Sequence, residues 1–421
     1  MTFKPTRRSV LTGAAALAAT PGLAIAQAPS SAQVVVIGGG FAGATCARYL
    51  HRAGVKVTLV EPSAQYISCP FSNAVLAGLR DLKDQTFTYD ALAREGVAIA
   101  RVEATAIDRD ARRVTLSDGA TLAYDRLVLA PGIDLRFDAL PGYDLAASEI
   151  FPHAWKAGAQ TTLLRRQLEA MADGGTVVIS APANPFRCPP GPYERASLIA
   201  HYLKTTKPKS KLLILDAKDA FSKQSLFTAA WKELYGDMVE WVGLSAGGKV
   251  TEIAPGEKTF VTEFGKHRAD VGNVIPPQRA GRIAVSSGIA DQTGWCPIDP
   301  VTFEARQQAG VHVIGDAAIA GGMPKSAFAA NAQAKACAQA VTLMLRGQAA
   351  PSPKLINTCY SLVAPDYGIS VAGVYQPAKG LLTDVAGAGG VSMAKAPASV
   401  RAAEAGYAEA WFKTITHDVF G

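Results

Sequence analysis

Six cysteines are the side chains with the widest range of chemistry in this 421-residue sequence. No Cys-x-x-Cys pair occurs among them, which excludes a thioredoxin-type couple and predicts no c-type haem on this chain. Cys46 and Cys337 lie in Ala-rich, helix-like stretches, where a thiol ordinarily serves as a small buried hydrophobic group. Cys296 is expected to be structural, with a place near a cofactor as the alternative. Cys69, Cys188 and Cys359 remain as candidates for chemistry.

A glycine-rich turn between two strand-like runs predicts a dinucleotide site near the N-terminus. The β-branched run at residues 33–37 leads directly into Gly-x-Gly-x-x-Gly and an Ala-rich helix, and a second run at residues 55–60 ends in Glu61. In this setting the glycines permit a tight turn, a close approach to a pyrophosphate and close helix–strand packing. Glu61 would bond the ribose hydroxyls, which indicates an unphosphorylated ribose. The three glycines are Gly38, Gly40 and Gly43.

A second unit of the same kind starts at residues 175–180 but lacks the glycine-rich turn. The chain continues through residues 181–194 with five prolines, which have no N–H to offer a phosphate. Because a stiff turn of this kind cannot form the backbone nest that holds an anion, NAD(P)H is not expected as the electron donor. Cys188 and Glu194 stand at this position instead.

The N-terminus has the three parts of a secretory signal. Residues 6–11 read Thr-Arg-Arg-Ser-Val-Leu, an apolar Ala-rich run follows, and residues 24–26 offer a small-x-small cleavage site. The arginine pair favours the twin-arginine route over a plain Sec signal, and that route exports folded proteins. The sequence therefore predicts a periplasmic protein that begins near Gln27, in a compartment where disulfides persist.

Cys188 and Cys359 could close one disulfide at the position that a nicotinamide would otherwise occupy. A structural bridge is the ordinary role in an exported protein, whereas this position favours a redox role. Glu194 could accept a proton beside the bridge. Its alternative role is a first-turn carboxylate of the helix that follows.

Two later segments, together with the first glycine motif, resemble the three FAD signatures of flavoproteins with two dinucleotide folds. One strand-like run ends in Pro131 and Gly132, with proline where threonine or serine is usual, and another ends in Asp316. The resemblance implies bound FAD, with Asp316 bonding its ribityl chain. Lys325 opens the next Ala-rich helix, where it could face the flavin and stabilise its reduced anion. A solvated helix start is the alternative for Lys325.

Four segments carry a more specific resemblance, at residues 69–73, 186–194, 315–326 and 359–370. They resemble the flavoprotein subunit of flavocytochrome c sulfide dehydrogenase over essentially the whole chain after residue 26. In that family the cysteine matching Cys69 is bonded covalently to the flavin. The cysteines matching Cys188 and Cys359 form a redox-active disulfide, and the partner is a small c-type cytochrome with one or two haems.

The resemblance implies an enzyme that oxidises sulfide, or sulfane sulfur, through this disulfide to FAD and passes electrons singly to the cytochrome. A sulfide:quinone oxidoreductase is the alternative, since it shares the fold and the cysteine chemistry. That activity would need an apolar amphipathic C-terminal helix, whereas residues 400–421 carry charges along their length. A third possibility is a non-catalytic flavin-binding helper of a sulfur-oxidation system.

The predicted fold class is α/β, with two Rossmann-like folds, the second lacking its nucleotide site, and a C-terminal interface region. The expected organisation is a signal peptide at 1–26, an FAD-binding domain at 27–150 and 265–350, a second fold at 151–264, and the interface region at 351–421.

Composition narrows the function classes further. The chain is 49% hydrophobic and 18% charged, which excludes a disordered protein. Its net charge of +7 comes without a Lys/Arg block, so nucleic-acid binding is not expected. Neither a metal site nor a membrane span is predicted. Tyr407, Trp411 and Phe412 lie at helical spacing and suggest a core stripe or a subunit contact, with Trp411 stacked on the flavin as the alternative.

Overall fold

The computed structural model of the chain describes residues 31–421. The predicted signal peptide at 1–26 lies outside the described residues. The described part is a mixed α/β protein, which confirms the predicted class. Within residues 31–421, no helix is both long and apolar enough to cross a bilayer.

The first segment alternates strands with helices, as its β-branched runs and Ala-rich stretches predict. Its strands are β1 (Gln33–Ile37), β2 (Lys56–Val60), β3 (Gln65–Ile67), β4 (Thr86–Thr88), β5 (Ala98–Ala100), β6 (Ala104–Asp108), β7 (Arg113–Leu116), β8 (Thr121–Ala123), β9 (Arg126–Leu129) and β10 (Ile133–Leu135). Its helices are α1 (Phe41–Arg52), α2 (Ser72–Leu76), α3 (Asp90–Glu95) and α4 (Ala147–Ile150).

The middle segment repeats the alternation and then adds a small antiparallel extension. Its helices are α5 (Ala159–Ala170), α6 (Gly191–Thr206) and α7 (Gln224–Tyr235). Its strands are β11 (Thr176–Ala181), β12 (Lys211–Asp216), β13 (Val239–Val242), β14 (Val250–Ala254), β15 (Thr259–Thr262), β16 (Gly265–Arg268) and β17 (Val271–Val274).

The last segment completes the first sheet and then forms a sheet of its own. Its helices are α8 (Arg282–Ser286), α9 (Ala327–Leu345) and α10 (Ala398–Phe420). Its strands are β18 (Gln278–Ala280), β19 (Cys296–Pro297), β20 (Val311–Val313), β21 (Ala318–Ile319), β22 (Leu355–Ala364), β23 (Tyr367–Ala378), β24 (Leu381–Asp384) and β25 (Gly390–Val391).

The first sheet is parallel, in the order β20-β9-β1-β2-β5. Val34, Val35 and Val36 of β1 are fully buried, because a central parallel strand is covered on both faces. The chain leaves β1 toward β2 on one side and reaches β9 on the other. This switch opens a crevice at the carboxyl ends of the strands, where α/β folds bind dinucleotides.

The second sheet is also parallel, in the order β13-β12-β11-β17, and it corrects one predicted boundary. The sequence placed the return to the first domain at residue 265. That cut would divide the β15–β16 hairpin, which pairs Thr259 with Arg268. It would also remove β17, which pairs with β11 as far as Val274. The second fold therefore ends after Val274, because its last parallel strand follows the hairpin.

The C-terminal region is an antiparallel sheet of β22, β23, β24 and β25 against which α10 packs. Phe412 of α10 is only 2% exposed and belongs to the core, whereas Tyr407 is 60% exposed. The core-stripe prediction therefore holds for Phe412 and is wrong for Tyr407, for which a subunit contact stays a prediction. Five residues turn a helix by about 140°, so the two side chains point to different faces.

Candidate active site

One cavity of about 580 Å³ lies at the carboxyl edge of the first sheet and is lined by residues from all three regions. Its wall contains ten of the twelve predicted site residues. These are Gly38, Gly40, Glu61, Cys69, Pro131, Gly132, Cys188, Glu194, Asp316 and Cys359. Gly43 and Lys325 lie outside the lining. Residues separated by more than 300 positions in sequence therefore meet around one space.

The glycine turn after β1 is packed too closely for side chains. Gly38 has φ +100°, and a Cβ there would lie 2.4 Å from the carbonyl oxygen of Ala130. A Cβ on Gly43 would lie 1.8 Å from the carbonyl oxygen of Gly38. The carboxylate of Glu61 accepts hydrogen bonds from the backbone N–H of Gly39 at 2.7 Å and of Ser63 at 2.9 Å. The turn and the acid after β2 are thus held in the arrangement that dinucleotide binding requires.

This packing makes Gly43→Ala a strongly damaging change. The contact with Gly38 is between backbone-fixed atoms that cannot rotate away, so we expect a loss of about 3 kcal/mol in the free energy of unfolding. Bound flavin should be lost as well, and thermal unfolding with the flavin-to-protein absorbance ratio measures both. Gly406→Ala is the matched control, since its Cβ meets open space within α10. Wild-type flavin content in Gly43→Ala would contradict the tight contact.

Asp316 supplies an acceptor that the protein itself leaves without a partner. Its Oδ1 is buried and has no hydrogen bond, while its Oδ2 lies 4.0 Å from Nη1 of Arg187. Burial raises the pKa of this carboxyl, and the charges of Arg187 and Lys325 oppose the rise. An unsatisfied buried acceptor in a cavity fits a ligand hydroxyl. The glycine cradle and this acceptor together fit a hydroxyl-bearing dinucleotide such as FAD.

Lys325 differs from both roles that the sequence suggested for it. Its ammonium donates to the backbone carbonyls of Asp316 at 2.7 Å and Ala318 at 2.8 Å, and it lies 3.9 Å from the centre of the Trp295 ring. The ammonium is therefore neither on the cavity wall nor in solvent, and burial lowers its pKa to about 8. The start of α9 does face the cavity, through Ser326 and Phe328.

Cys69 lies between β3 and α2, on the wall of the cavity. Its Sγ is 3.6 Å from the carbonyl oxygen of Trp155, which also accepts a hydrogen bond from the Arg187 guanidinium. The thiol is half-buried and faces the same space as the glycine turn and Asp316. Its position is compatible with a bond to a flavin held in the cradle.

Cys188 and Cys359 reach the cavity from different elements. Cys188 precedes α6, and its backbone N–H donates to the carbonyl of Lys325 at 2.8 Å. Cys359 lies in β22, and its Sγ accepts a hydrogen bond from Nδ2 of Asn357 at 3.2 Å. Burial raises the pKa of each thiol when the pair is reduced. Such thiols are poor nucleophiles at neutral pH, whereas their disulfide would be an acceptor for one.

Glu194 lies in the first turn of α6 and also lines the cavity. A first-turn carboxylate and a proton acceptor beside the cysteines are therefore compatible roles for this residue. Its carboxyl stands beside the side chains of Asn73 and Ser361. Burial raises its pKa to about 7, and the charge of Lys223 is the largest opposing influence. A carboxyl with this pKa can take up and release a proton at neutral pH.

Three cations at the site were not singled out from the sequence: the buried Arg195 and Lys223, and the partly buried Arg187. Arg195 donates to Oδ1 of Asn73 and of Asn273, both at 3.0 Å, and so ties α2 to the second sheet. Arg187 and Arg195 adjoin Cys188 and Glu194 in sequence, which was an available signal. Lys223 lies far from every motif in the sequence, so no local signal pointed to it.

Of the remaining candidate residues, Trp411 lies on the cavity wall and three cysteines do not. Trp411 lines the cavity with its ring parallel to that of Phe328 at 6.1 Å, so contact with a flavin stays a prediction for it. Cys46, Cys296 and Cys337 are fully buried and lie outside the lining. Within residues 31–421, no group of His, Cys, Asp or Glu side chains is arranged to hold a metal ion.

Comparisons with known proteins identify the family. Residues 161–276 match the family model described as sulfide dehydrogenase (flavocytochrome c) flavoprotein chain, central. Residues 351–420 match flavocytochrome c sulphide dehydrogenase, flavin-binding. The sulfide dehydrogenase (flavocytochrome c) flavoprotein chain of Chlorobaculum thiosulfatiphilum is 56% identical over 45 residues, which are 94% of that sequence and 10% of this chain. The chain belongs to this family.

This family assignment agrees with wider similarities. Residues 32–172 match the pyridine nucleotide-disulphide oxidoreductase model. The mitochondrial sulfide:quinone oxidoreductase of Mus musculus is 24% identical over 331 residues, covering 75% of this chain and 72% of that protein. The sulfide:quinone oxidoreductase structure from Aquifex aeolicus superposes with a TM-score of 0.68 at 18% identity, covering 92% of both chains. The protein is thus a flavoprotein oxidoreductase of the sulfide dehydrogenase type.

Proposed function

We propose that this chain oxidises sulfide, or sulfane sulfur, through a Cys188–Cys359 disulfide to FAD and passes the electrons to a c-type cytochrome subunit in the periplasm. One observation carries the proposal. Two cysteines from distant elements meet Glu194 on the wall of the cavity that also holds the glycine cradle and Asp316. The family assignment and the predicted export signal support the same account.

The sulfur step follows from ordinary thiol–disulfide exchange. HS⁻ attacks one sulfur of the Cys188–Cys359 bond, so that a new S–S bond forms, the old one breaks and the displaced cysteine leaves as a thiolate. Glu194 can hold or release a proton beside it, since its pKa is about 7. FAD, when bound, accepts electrons in pairs and releases them singly, which matches a two-electron sulfur donor to one-electron haem acceptors. Because the sequence lacks a Cys-x-x-Cys-His motif, we place the haem on the partner.

The second Rossmann-like fold supports a donor other than NAD(P)H. In such folds the acid after the second strand bonds the ribose of the nucleotide. Here that acid, Asp216, is fully buried, and its Oδ2 accepts hydrogen bonds from Tyr193 at 2.5 Å and Trp241 at 3.0 Å. Lys218 donates to its other oxygen at 2.5 Å, and the Phe221 ring stacks on Tyr193 at 3.6 Å. The carboxylate that would bond the ribose of a nucleotide is therefore already hydrogen-bonded to side chains of the protein.

The C-terminal helix favours a cytochrome acceptor over a membrane quinone. Two of its acidic side chains are paired with cations of the protein: Glu409 with Arg80 at 2.9 Å, and Asp418 with Lys335 at 2.9 Å. Phe412 and its apolar neighbours face the core rather than the outside. An interfacial helix needs a free apolar face, and α10 uses its own face for packing.

Anaerobic stopped-flow mixing tests the proposal. The purified holoprotein is mixed with sulfide, and then with cytochrome c, with a short-chain ubiquinone or with NAD⁺. We expect sulfide to bleach the flavin absorbance and cytochrome c to restore it while its haem is reduced. Reoxidation by quinone alone would assign a sulfide:quinone oxidoreductase, and bleaching by NADH would contradict the assignment of the second fold. Absence of any bleaching by sulfide would favour a non-catalytic helper.

Replacing Glu194 with glutamine is expected to remove one ionisation from the reaction. Because the wild-type carboxyl has a pKa of about 7, it is mostly protonated below this pH and mostly ionised above it. We expect the ratio of wild-type to Glu194→Gln flavin reduction rates, taken at matched pH and sulfide, to rise through pH 7. Taking the ratio cancels the ionisation of sulfide itself. A pH-independent ratio would mean that Glu194 takes no part in proton transfer.

A further inference from the structure

A buried lysine stands beside the paired cysteines, and nothing in the proposed reaction uses it. Lys223 immediately precedes α7, with a φ of +62° that non-glycine residues seldom adopt, and it is only 9% exposed. Its ammonium donates to the carbonyl oxygen of Cys359 and to Oγ of Ser361, both at 2.8 Å. The carbonyl of Ile369 lies at 3.5 Å. Burying a lysine to this depth costs free energy, which indicates a specific use for the charge.

Four ionisable groups face this ammonium from the elements packed around it. Cys188 comes from the loop before α6, Glu194 from α6, Cys359 from β22 and Glu404 from α10. No carboxylate among residues 31–421 forms a direct ion pair with Lys223, and Glu404 is itself paired with Arg401 at 3.0 Å. The positive charge therefore remains available to the cysteine pair.

The surroundings of the two sulfurs differ. At Cys359, the Lys223 ammonium donates a hydrogen bond to the backbone carbonyl oxygen of the cysteine, and Nδ2 of Asn357 donates to its sulfur at 3.2 Å. Burial and the Glu194 carboxyl raise the pKa of this thiol, and Lys223 is the largest opposing influence. At Cys188, burial and Glu194 also raise the pKa, and Arg187 and Lys223 oppose the rise. The difference lies in the hydrogen bonds: within residues 31–421 a side-chain donor contacts Sγ of Cys359 and none contacts Sγ of Cys188, so negative charge is better accommodated on Cys359.

We propose that Lys223 is a positioning residue that makes Cys359 the leaving thiolate and so directs the incoming sulfur to Cys188. This inference rests on the proposed disulfide chemistry. HS⁻ forms the new S–S bond with Sγ of Cys188, the Cys188–Cys359 bond breaks, and its electron pair goes to Sγ of Cys359. The hydrogen of HS⁻ stays on the persulfide, so no further reactant is needed. Leaving-group stability speeds such exchange.

The test measures the reduced cysteines of the holoprotein directly. Dithiothreitol-reduced protein is alkylated with iodoacetamide across a pH series, and Cys359 is followed by peptide mass spectrometry. We expect Lys223→Met to move the alkylation midpoint of Cys359 up by about one pH unit or more, and Lys223→Arg to restore much of the shift. Flavin reduction by sulfide should slow by about tenfold in Lys223→Met. Lys258→Met is the matched control, an exposed lysine that also has a positive φ.

The outcomes separate this inference from the function on which it rests. An unchanged Cys359 midpoint in Lys223→Met overturns the role of Lys223, and so does a persulfide trapped on Cys359 of the wild type before its flavin is reduced. Should Lys223→Met fail to fold or lose its flavin, Lys223→Gln provides the same comparison with a polar side chain. If sulfide leaves the wild-type disulfide intact, the proposed function fails. The alkylation profile needs no sulfide and still decides the electrostatic claim.

Discussion

Replacing Cys188 with serine should stop sulfide from reducing the flavin. A serine oxygen can neither close the disulfide with Cys359 nor carry a persulfide, so the exchange step has no acceptor. We expect the rate of flavin bleaching to fall by at least about 10³-fold, as when a covalent catalytic group is removed. Anaerobic stopped-flow absorbance measures it, and dithionite should still reduce the variant's flavin.

Cys337→Ala is the matched control for this loss. Cys337 is fully buried in α9 and lies outside the cavity wall, so its removal changes one cysteine without touching the site. The control should bleach at the wild-type rate. Bleaching of Cys188→Ser at more than a tenth of the wild-type rate would mean that sulfide reaches the flavin without the cysteine pair.

Replacing Cys69 with alanine should release the flavin on denaturation. The thiol lines the cavity beside the glycine cradle, where we propose a covalent bond to the cofactor. Acid precipitation of the wild type should leave essentially all of the flavin colour in the pellet, and Cys69→Ala should lose essentially all of it to the supernatant. Absorbance of the two fractions measures the change.

The matched control here is Cys296→Ala, which removes a buried cysteine from β19, outside the cavity lining. Its flavin should stay in the pellet. Flavin released from the acid-treated wild type would contradict the covalent bond while leaving the disulfide chemistry untouched. Cys69→Ala retains both Cys188 and Cys359, so the same preparation also reports whether sulfide still reduces a non-covalent flavin.

The elements that position the site could be predicted well because their signals are local. The glycine turn after β1 and the acid after β2 follow from spacing and from the strands beside them, and the structure places both on the cavity wall. The five prolines of the loop after β11 indicate from sequence alone that the second fold lacks a backbone nest for phosphate. The cysteines could be sorted by context, since helix-like surroundings separate Cys46 and Cys337 from the others.

The features that could not be predicted depend on contacts between distant segments. Lys325 has the position of a helix start in sequence, but its ammonium is captured by two backbone carbonyls and the Trp295 ring. Lys223 gains its significance from Cys359, 136 residues further along the chain. The domain boundary at 265 was misplaced because β17 joins the second sheet only after an intervening hairpin. The periodicity of apolar residues indicates which face of a helix or strand is buried, but it does not indicate which other element packs against that face.

Trapping a single turnover tests the central claim most directly. Wild-type holoprotein is mixed anaerobically with one equivalent of sulfide, quenched in acid at a series of times before and during bleaching, alkylated and digested for mass spectrometry. The account predicts that a persulfide on one cysteine of the Cys188–Cys359 pair and an alkylated thiol on the other rise before the flavin is reduced, and that they decline as the two electrons pass to the flavin. A flavin that bleaches while the Cys188–Cys359 disulfide stays closed at every quench time would contradict it.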